Sequence, residues 1–156
     1  MKKTALIFIG ILVVTATLRL YKLGGVPSSM YIDEVAIGVD AKSLAQTGHD
    51  MHGNSIFSTM FPSYGDYKLP VYVWLATGSV KLFGATGFAV RLPSALAGIV
   101  TVALVFFLAR ELFEKDKHRD VIALCGAAIT ALLPWSILFS RTGFEGHVGQ
   151  AIVLAA

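Results

Sequence analysis

The chain has 156 residues, of which 55% are hydrophobic and 15% are charged, and its formal net charge is +3 at pH 7. A soluble domain has roughly a quarter of its residues charged, so this composition excludes an ordinary water-soluble protein and predicts an all-α, polytopic membrane protein. The basic residues lie at the ends of apolar segments and in one short loop, which argues against nucleic acid as a partner.

The first apolar segment, residues 5–18, carries no charge and follows two lysines. A cleavable signal peptide would have the same basic start and apolar middle. Because further apolar segments follow, we predict instead an uncleaved membrane helix at residues 4–23. In this interpretation Arg19 and Lys22 reach the outer interface by snorkelling. Both interpretations place the next segment, residues 24–87, outside the cytoplasm.

This outer loop is predicted to contain a short helix at residues 35–47. Asp33 precedes it as a candidate N-cap, and Gly48 is suited to the left-handed conformation that often ends a helix. A second helix is predicted at residues 69–83. It is short for a membrane span and carries an internal lysine, so we expect it to lie in the outer membrane interface.

Two long uncharged segments predict membrane helices at residues 88–110 and 121–140. The loop between them, 110–120, is rich in Lys and Arg, so we place it in the cytoplasm with the N-terminus. The chain must then cross the membrane an even number of times between the N-terminus and residues 110–120. The helices at 4–23 and 88–110 supply two crossings, so the helix at 69–83 cannot be a third and is placed outside. A fourth membrane helix is predicted to start within 148–156, and we interpret the chain as the N-terminal part of a longer protein.

Among the familiar catalytic motifs, the sequence contains no Walker loop, GxGxxG, CxxC or HExxH. The spacing of His49 and His52 in "HDMH" is compatible with metal binding, but two histidines three apart in a loop are weak evidence, and we favour a solvated turn flanked by glycine. Cys125 lies in an apolar segment and is interpreted as a small buried hydrophobic residue.

Four stretches, "DEVAIGVDAKSLAQTGHDMHGN", "YGDYKLPVYVWL", "FAVRLPSALAGIVTV" and "LPWSILFSRTGFEG", occur in this order and spacing. Together they resemble the N-terminal part of bacterial glycosyltransferase family 39. This family includes relatives of the protein O-mannosyltransferases and of the aminoarabinose transferase, within the C-type superfamily. The resemblance extends from about residue 20 to the end of the chain, and it implies that residues 1–156 form part of one transmembrane glycosyltransferase domain.

The resemblance implies an activity and its partners. Such enzymes take a sugar, a hexose or pentose, from a polyprenyl-phosphate donor and transfer it to a hydroxyl acceptor on a lipid, glycan or protein, usually with inversion. They work in the cell (inner) membrane among membrane lipids, with the active site on the extracytoplasmic side. Whether a divalent metal is needed stays open, and no other cofactor is expected.

Two adjacent acids are the catalytic candidates. By the resemblance, Asp33 matches the catalytic aspartate that serves as general base for the acceptor hydroxyl. A role as helix N-cap is compatible with this one. Glu34 is the second acid of the motif, and it would orient Asp33 or the acceptor, or simply place a favourable charge in the first helical turn.

Several residues are candidates for substrate binding. Lys68 matches a lysine that contacts the lipid phosphate in the aminoarabinose-transferase branch, although anchoring to anionic lipid headgroups is an alternative. Asp66 and Tyr67 flank it as secondary candidates. In the stretch "FAVRLPSALAGIVTV", Arg91 is expected to snorkel to the membrane interface or to bind phosphate.

The predicted second outer loop, residues 141–147, contains Arg141 and Glu145, with His147 as a weaker candidate. Glu145 occupies a position where many relatives have aspartate, so its acceptor or metal geometry would differ from theirs. An exposed acid without function is an equally good interpretation. Two functions from other classes remain open at this point, namely a polytopic transporter and a non-catalytic protein that binds polyprenyl lipids.

Overall fold

The computed structural model describes residues 2–156. Within them lie seven helices and one small antiparallel hairpin. The helices are α1 (Lys2–Leu20), α2 (Ile32–Thr47), α3 (Pro70–Phe83), α4 (Gly87–Leu112), α5 (Arg119–Leu132), α6 (Pro134–Ser140) and α7 (Glu145–Ala155). The hairpin strands are β1 (Phe61–Pro62) and β2 (Tyr67–Lys68). The protein is therefore all-α, as the composition predicts.

Two helices, α1 and α4, are long and apolar enough to cross a membrane, and α5 with α6 would form a third span that is bent by 59°. Large apolar side chains remain exposed on α1 and α4, among them Leu6, Val13 and Phe107. Such surfaces are costly in water and favourable in hydrocarbon. The chain is thus an all-α membrane protein. Helix α7 begins at Glu145, so the loop before it is shorter than the predicted 141–147.

The helix predicted at residues 121–140 is interrupted at Leu133, which has extended geometry with φ −60° and ψ 119°. Pro134 is the cause, because it lacks a backbone N–H and forces the preceding residue out of the helical region. The interruption leaves the carbonyl groups at the end of α5 without their usual helical donors. Pro134 then serves as a favourable first residue of α6.

Arg19 supplies the missing donors at this break. Its Nη1 donates to the carbonyl of Ala131 at 3.2 Å and its Nη2 to the carbonyl of Thr130 at 3.4 Å. Nη2 also donates to the Oγ of Ser136 at 2.9 Å. Arg19 is fully buried, so the predicted snorkelling is wrong for this residue. A buried guanidinium gains more from unpaired carbonyls at a helix C-terminus than from a distant interface.

The apolar packing is divided between two clusters. The first joins α2, α3, α4 and α7 around Ile37, Tyr72 and Val90, and it supports the outer helices. The second joins α1, α4 and α5 around Phe106 and Ala127. A smaller cluster packs the hairpin against α2 and α3 and contains Leu44, Phe61 and Val73. Helix α4 belongs to both large clusters and connects the packing around α1 and α5 to the packing around α2 and α3.

Gly98 allows α4 to approach Arg19 closely, which leads to a first prediction. A Cβ at this position would lie 2.6 Å from the Cβ of Ser140 and 2.9 Å from the Nε of Arg19. We expect Gly98→Ala to lower the free energy of unfolding by about 1–3 kcal/mol, the usual cost of overpacking. Thermal unfolding of the detergent-solubilised protein followed by tryptophan fluorescence would measure the effect.

Gly126→Ala is the matched control, because it lies inside α5 and its new Cβ would only meet Val105 at an ordinary 3.5 Å. Replacing a helical glycine by alanine removes backbone freedom from the unfolded chain, so this variant should be neutral or slightly stabilising. Equal destabilisation by both variants would contradict the close approach at Gly98.

Candidate functional site

Helix α2 begins one turn earlier than predicted, and this changes the role of Asp33. Its N-cap is Tyr31, so Asp33 lies inside the first turn and the prediction that it caps the helix is wrong. The side chain of Glu34 performs the capping instead, since its Oε2 accepts from the backbone N–H of Tyr31 at 3.0 Å. The C-terminal prediction is confirmed, because Gly48 has φ 78°.

The carboxylate of Asp33 is free to face the surface, where it joins a small charge cluster. Lys68 Nζ donates to Asp33 Oδ1 at 2.7 Å and to Asp66 Oδ2 at 3.0 Å. The side chains of Asp33 and Asp66 are 41% and 67% exposed, whereas that of Lys68 is 5% exposed. We call these three residues the outer charge cluster. It presents two accessible carboxylates around a sheltered ammonium group.

The ion pairs of the outer charge cluster are reflected in the pKa values of two members. Burial would lower the pKa of Lys68, but hydrogen bonds and charge from Asp33 and Asp66 outweigh burial and raise it above its ordinary value. The pKa of Asp66 is lowered, first by the backbone N–H of Tyr67 and then by Lys68. Lys68 therefore stays positively charged across the physiological pH range, which is what an anion-binding residue requires.

The hairpin fixes the position of Lys68. Phe61 pairs with Lys68 and Pro62 with Tyr67, and the turn between the strands contains Gly65 at φ 74°. Phe61 is completely buried, so it anchors the hairpin against the outer helices. Lys68 is thus held in a short paired strand and is sheltered, whereas the side chain of the adjacent Tyr67 is 63% exposed.

Glu34 lies in the interior, immediately behind the outer charge cluster. It forms a bidentate ion pair with Arg91, with Nε to Oε1 at 2.7 Å and Nη2 to Oε2 at 3.1 Å. Its Oε1 also accepts from the backbone N–H of Gly143 at 2.8 Å. Both side chains are fully buried. Together with the backbone N–H of Tyr31, these contacts hold the first turn of α2 in place.

Burial alone would raise the pKa of Glu34. Hydrogen bonds from Arg91, from the backbone of Tyr31 and from the backbone of Gly143, together with the charge of Arg91, outweigh burial and leave the pKa below its ordinary value. Glu34 is therefore ionised at neutral pH. A buried ionised carboxylate with four donors is costly to disturb, because each donor would lose its partner.

Arg91 does not snorkel, and its donors are not available to a phosphate in this arrangement. Besides Glu34, it donates from Nη1 to the carbonyls of Leu23 and Pro27 at 3.2 and 2.9 Å, and from Nη2 to that of Ser29 at 2.9 Å. The guanidinium therefore binds three backbone carbonyls of the segment between α1 and α2 and holds that segment in place. Snorkelling is wrong here because the interior offers more acceptors than the membrane surface.

Arg141 has a similar role at the end of α1. It donates to the carbonyls of Leu18, Tyr21 and Val26 at 2.6, 2.8 and 2.9 Å. Its donors are directed to the backbone rather than to the outer charge cluster. Arg141 therefore ties the end of α6 to the end of α1.

Glu145 connects α7 to the outer charge cluster. Its Oε1 accepts from the backbone N–H of Leu69 at 3.1 Å, and Leu69 directly follows Lys68 and caps α3. The half-buried carboxylate thus lies at the N-termini of α3 and α7, where negative charge is favoured. Glu145 is anchored rather than a freely exposed acid.

The "HDMH" segment forms a turn. The Oδ1 of Asp50 accepts from the backbone N–H groups of His52 and Asn54 at 2.9 and 2.7 Å, and His49 Nδ1 lies 3.2 Å from the carbonyl of Thr47. Across residues 2–156 no group of three or more His, Cys, Asp and Glu side chains has the arrangement needed to hold a metal ion. Of the candidates named from the sequence, only Asp33, Lys68 and Asp66 make direct contact around one accessible site.

Sequence reasoning missed the two residues that organise the interior behind this site. Arg19 was expected at the membrane surface, and Gly143 was not considered. A Cβ on Gly143 would lie 3.2 Å from Val90 and 3.3 Å from Glu34, so only glycine fits there without displacement. The position of Arg19 near the end of an apolar segment was a signal that it could be buried. No local sequence feature indicated the role of Gly143.

The family described as dolichyl-phosphate-mannose-protein mannosyltransferase matches residues 67–155. The matched part contains Tyr67, Lys68, Arg91, Arg141 and Glu145, whereas Asp33, Glu34 and Asp66 precede it. No solved structure matches the chain.

A curated relative from Bacillus subtilis (strain 168), named "Putative mannosyltransferase YycA", is 30% identical over 101 residues. The match covers 65% of this chain, and the chain spans only 14% of that protein's length. Because the family match covers more than half of the 156 residues, the chain belongs to the dolichyl-phosphate-mannose-protein mannosyltransferase family, in agreement with its resemblance to glycosyltransferase family 39.

Proposed function

We propose that the protein is a membrane glycosyltransferase that moves a sugar, of which mannose is the first choice, from a polyprenyl-phosphate donor to a hydroxyl acceptor. The observation that carries the proposal is the outer charge cluster, in which an accessible carboxylate contacts a sheltered lysine at 2.7 Å. Membership of the family supports the reaction class. A lipid, glycan or protein hydroxyl could serve as acceptor, and the cluster does not select among them.

In the proposed reaction the acceptor oxygen attacks the anomeric carbon of the donor sugar. The carboxylate of Asp33 takes the hydroxyl proton as the new carbon–oxygen bond forms. The bond from the anomeric carbon to the phosphate oxygen breaks, and the polyprenyl phosphate leaves with the electron pair. Lys68 stabilises the negative charge that grows on this phosphate. A single displacement of this kind inverts the configuration at the anomeric carbon.

The contact between Lys68 and Asp33 has a consequence for the order of events. Lys68 Nζ donates to Asp33 Oδ1 at 2.7 Å, so the oxygen that would take the acceptor proton is already engaged in a hydrogen bond. When the donor phosphate binds Lys68, the phosphate competes with Asp33 for the same protons. Donor binding would therefore release Asp33 to act on the acceptor.

Transfer of labelled mannose in lipid nanodiscs tests the proposed function. The protein is incubated with undecaprenyl-phosphate mannose and a mixture of membrane lipids and envelope proteins, and label in each fraction is counted. Transfer above that of protein-free nanodiscs is expected. No transfer from mannose, glucose or pentose donors, together with no binding of undecaprenyl phosphate, would overturn the proposal.

Lys68→Met should weaken binding of undecaprenyl phosphate by about 10- to 100-fold, since a hydrogen bond to a charged group contributes roughly 1.5–3 kcal/mol. Methionine keeps the apolar stem and removes only the charge. Asp33 and Asp66 are exposed enough to be hydrated after the change, so folding should be little affected. Microscale thermophoresis in nanodiscs would give the dissociation constants.

Lys42→Met is the matched control, because Lys42 is an exposed lysine on α2 in the same outer segment. If both variants weakened binding equally, the effect would come from general attraction to anionic lipids. That result would remove Lys68 from the proposed site.

We also propose that residues 110–120 face the cytoplasm and that the outer charge cluster faces the other side of the cell membrane, with α3 in the outer interface. The excess of Lys and Arg between α4 and α5 supports this orientation. An alkaline phosphatase fusion after Lys117 should be inactive and one after Asn54 active. Activity of the Lys117 fusion would reverse the proposed topology.

A further inference from the structure

A cleft of about 400 Å³ lies between α6 and α7. This size is within the range of about 300–1,000 Å³ that small-molecule sites occupy. The side chains that line it and matter here are Trp135, Ser136, Phe139, Phe144, His147 and Gln150. Three are aromatic and three are polar, a combination suited to a ligand with both an apolar face and hydroxyl groups.

The aromatic wall of the cleft presents flat apolar surface. Trp135 and Phe139 are one helical turn apart on α6, with ring centroids 6.0 Å apart and planes inclined by 27°. They are 65% and 46% exposed. Nearly parallel rings of this kind form a platform, and a pyranose ring has an apolar face of C–H groups that can stack on one.

The polar wall contains groups that keep unused hydrogen-bonding capacity. The Oγ of Ser136 accepts from Arg19 at 2.9 Å, which leaves its own proton to donate elsewhere. The Nε2 of His147 donates to the carbonyl of Ser136 at 2.9 Å, and the ring also makes a hydrogen bond with the side chain of Gln150, so His147 holds Gln150 at the edge of the cleft. Gln150 adds an exposed amide with donors and an acceptor. Hydroxyl groups of a sugar, each a donor and an acceptor, match this set.

The cleft is connected to the outer charge cluster through its edge. The ring of Phe144 lies 5.5 Å from that of Tyr31, which is two residues before Asp33. The next residue, Glu145, accepts from Leu69, the neighbour of Lys68. One edge of the cleft therefore contacts the short segments that hold the proposed base and the proposed phosphate ligand.

We propose that this cleft binds the sugar ring of the lipid-linked donor, stacked on Trp135 and hydrogen-bonded to Ser136 and Gln150. The inference rests on the proposed function and specifies where that site holds its sugar. A donor phosphate bound at Lys68 is tethered to the membrane, and the cleft opens between helices at the same outer end.

Trp135→Ala tests the proposal through two ligands that differ only in the sugar. The dissociation constants of undecaprenyl-phosphate mannose and undecaprenyl phosphate are measured with the protein in nanodiscs. We expect the variant to lose about tenfold affinity for the mannose-bearing lipid, the upper range for one aromatic contact, and to bind the sugar-free lipid as the wild type does. Trp135→Phe should restore most of the loss.

Phe57→Ala is the matched control, since Phe57 is an exposed aromatic residue of the outer segment, 87% accessible, and lies outside the cleft. It should bind both lipids like the wild type. Unchanged sugar selectivity in Trp135→Ala, or an equal loss for both lipids, would overturn the proposal. A rise in the acceptor KM without a change in donor affinity would also overturn it. Failure of the wild type to bind either lipid would instead count against the proposed function.

Discussion

Asp33→Asn is expected to lower the rate of sugar transfer by about 100-fold or more, the range that general-base catalysis contributes. Asparagine keeps the shape of the side chain and can still accept a hydrogen bond from Lys68, but it cannot take the acceptor proton. The variant should bind undecaprenyl-phosphate mannose with nearly wild-type affinity. Single-turnover transfer in nanodiscs, measured at saturating donor, would isolate the chemical step.

Asp66→Asn provides the matched comparison, because it also removes one carboxylate from Lys68 and leaves the other in place. Asp66 lies 3.0 Å from the Lys68 Nζ and Asp33 lies 2.7 Å from it. If transfer depended only on the charge around Lys68, both variants would lose activity alike. We expect the Asp66 variant to lose less than about tenfold, since an exposed ion pair contributes less than the free energy that a tenfold change requires. Equal losses would argue against Asp33 as the base.

Breaking the pair of Glu34 and Arg91 is expected to have the largest effect on stability. Glu34→Gln leaves a fully buried guanidinium without its counter-charge, and the loss of one partner of a buried pair typically costs about 3–5 kcal/mol. The amide would also direct a donor at one of the four groups that now donate to the carboxylate. The free energy of unfolding in mixed micelles should fall accordingly.

A double-mutant cycle would show that the effect belongs to the pair. Arg91→Gln alone also loses the carbonyls of Leu23, Pro27 and Ser29, so it should be costly by itself. The double variant should cost less than the sum of the two single variants, by about 0.5–3 kcal/mol. Glu114→Gln, at an exposed acid, should change stability by no more than about 0.5 kcal/mol. Additive losses would contradict a direct interaction.

The lowered pKa of Glu34 also fixes the sign of the pH dependence. A carboxyl whose folded pKa is below its ordinary value of 4.5 stabilises the protein above that value. This contribution should be present at neutral pH and decline as the pH falls below 4.5 towards the folded pKa. The Glu34→Gln variant should lack this component of the acid dependence.

The sequence was informative where the signal is local. Proline at the start of α3, glycine after α2 and the long uncharged run of α4 each mark an element without reference to distant residues. The break at Leu133 was equally visible in the sequence, because Pro134 stands within the apolar run, but the length of that run favoured one continuous helix. Here the tendency of proline to interrupt a helix outweighs the tendency of a long apolar run to form one continuous span.

The roles of the charged residues could not be predicted in the same way, because their partners are far away in the sequence. Arg91 meets Glu34 across 57 positions, and Arg19 meets Ala131 across 112. The adjacent acids show the point most directly. Consecutive residues on a helix point about 100° apart, so Asp33 faces the surface while Glu34 faces Arg91, and only the packing of α2 determines which residue takes which direction.

The hydrogen bonds of Arg141 also constrain the order in which the protein is completed during synthesis. Its acceptors Leu18 and Tyr21 lie 123 and 120 positions earlier in the chain. These carbonyls at the end of α1 therefore enter the membrane surface long before the ribosome has made the side chain that will pair with them. Until then water or lipid headgroups must serve as their donors. The contacts of Arg141 with the end of α1 thus form only after the α5–α6 segment has been made and inserted.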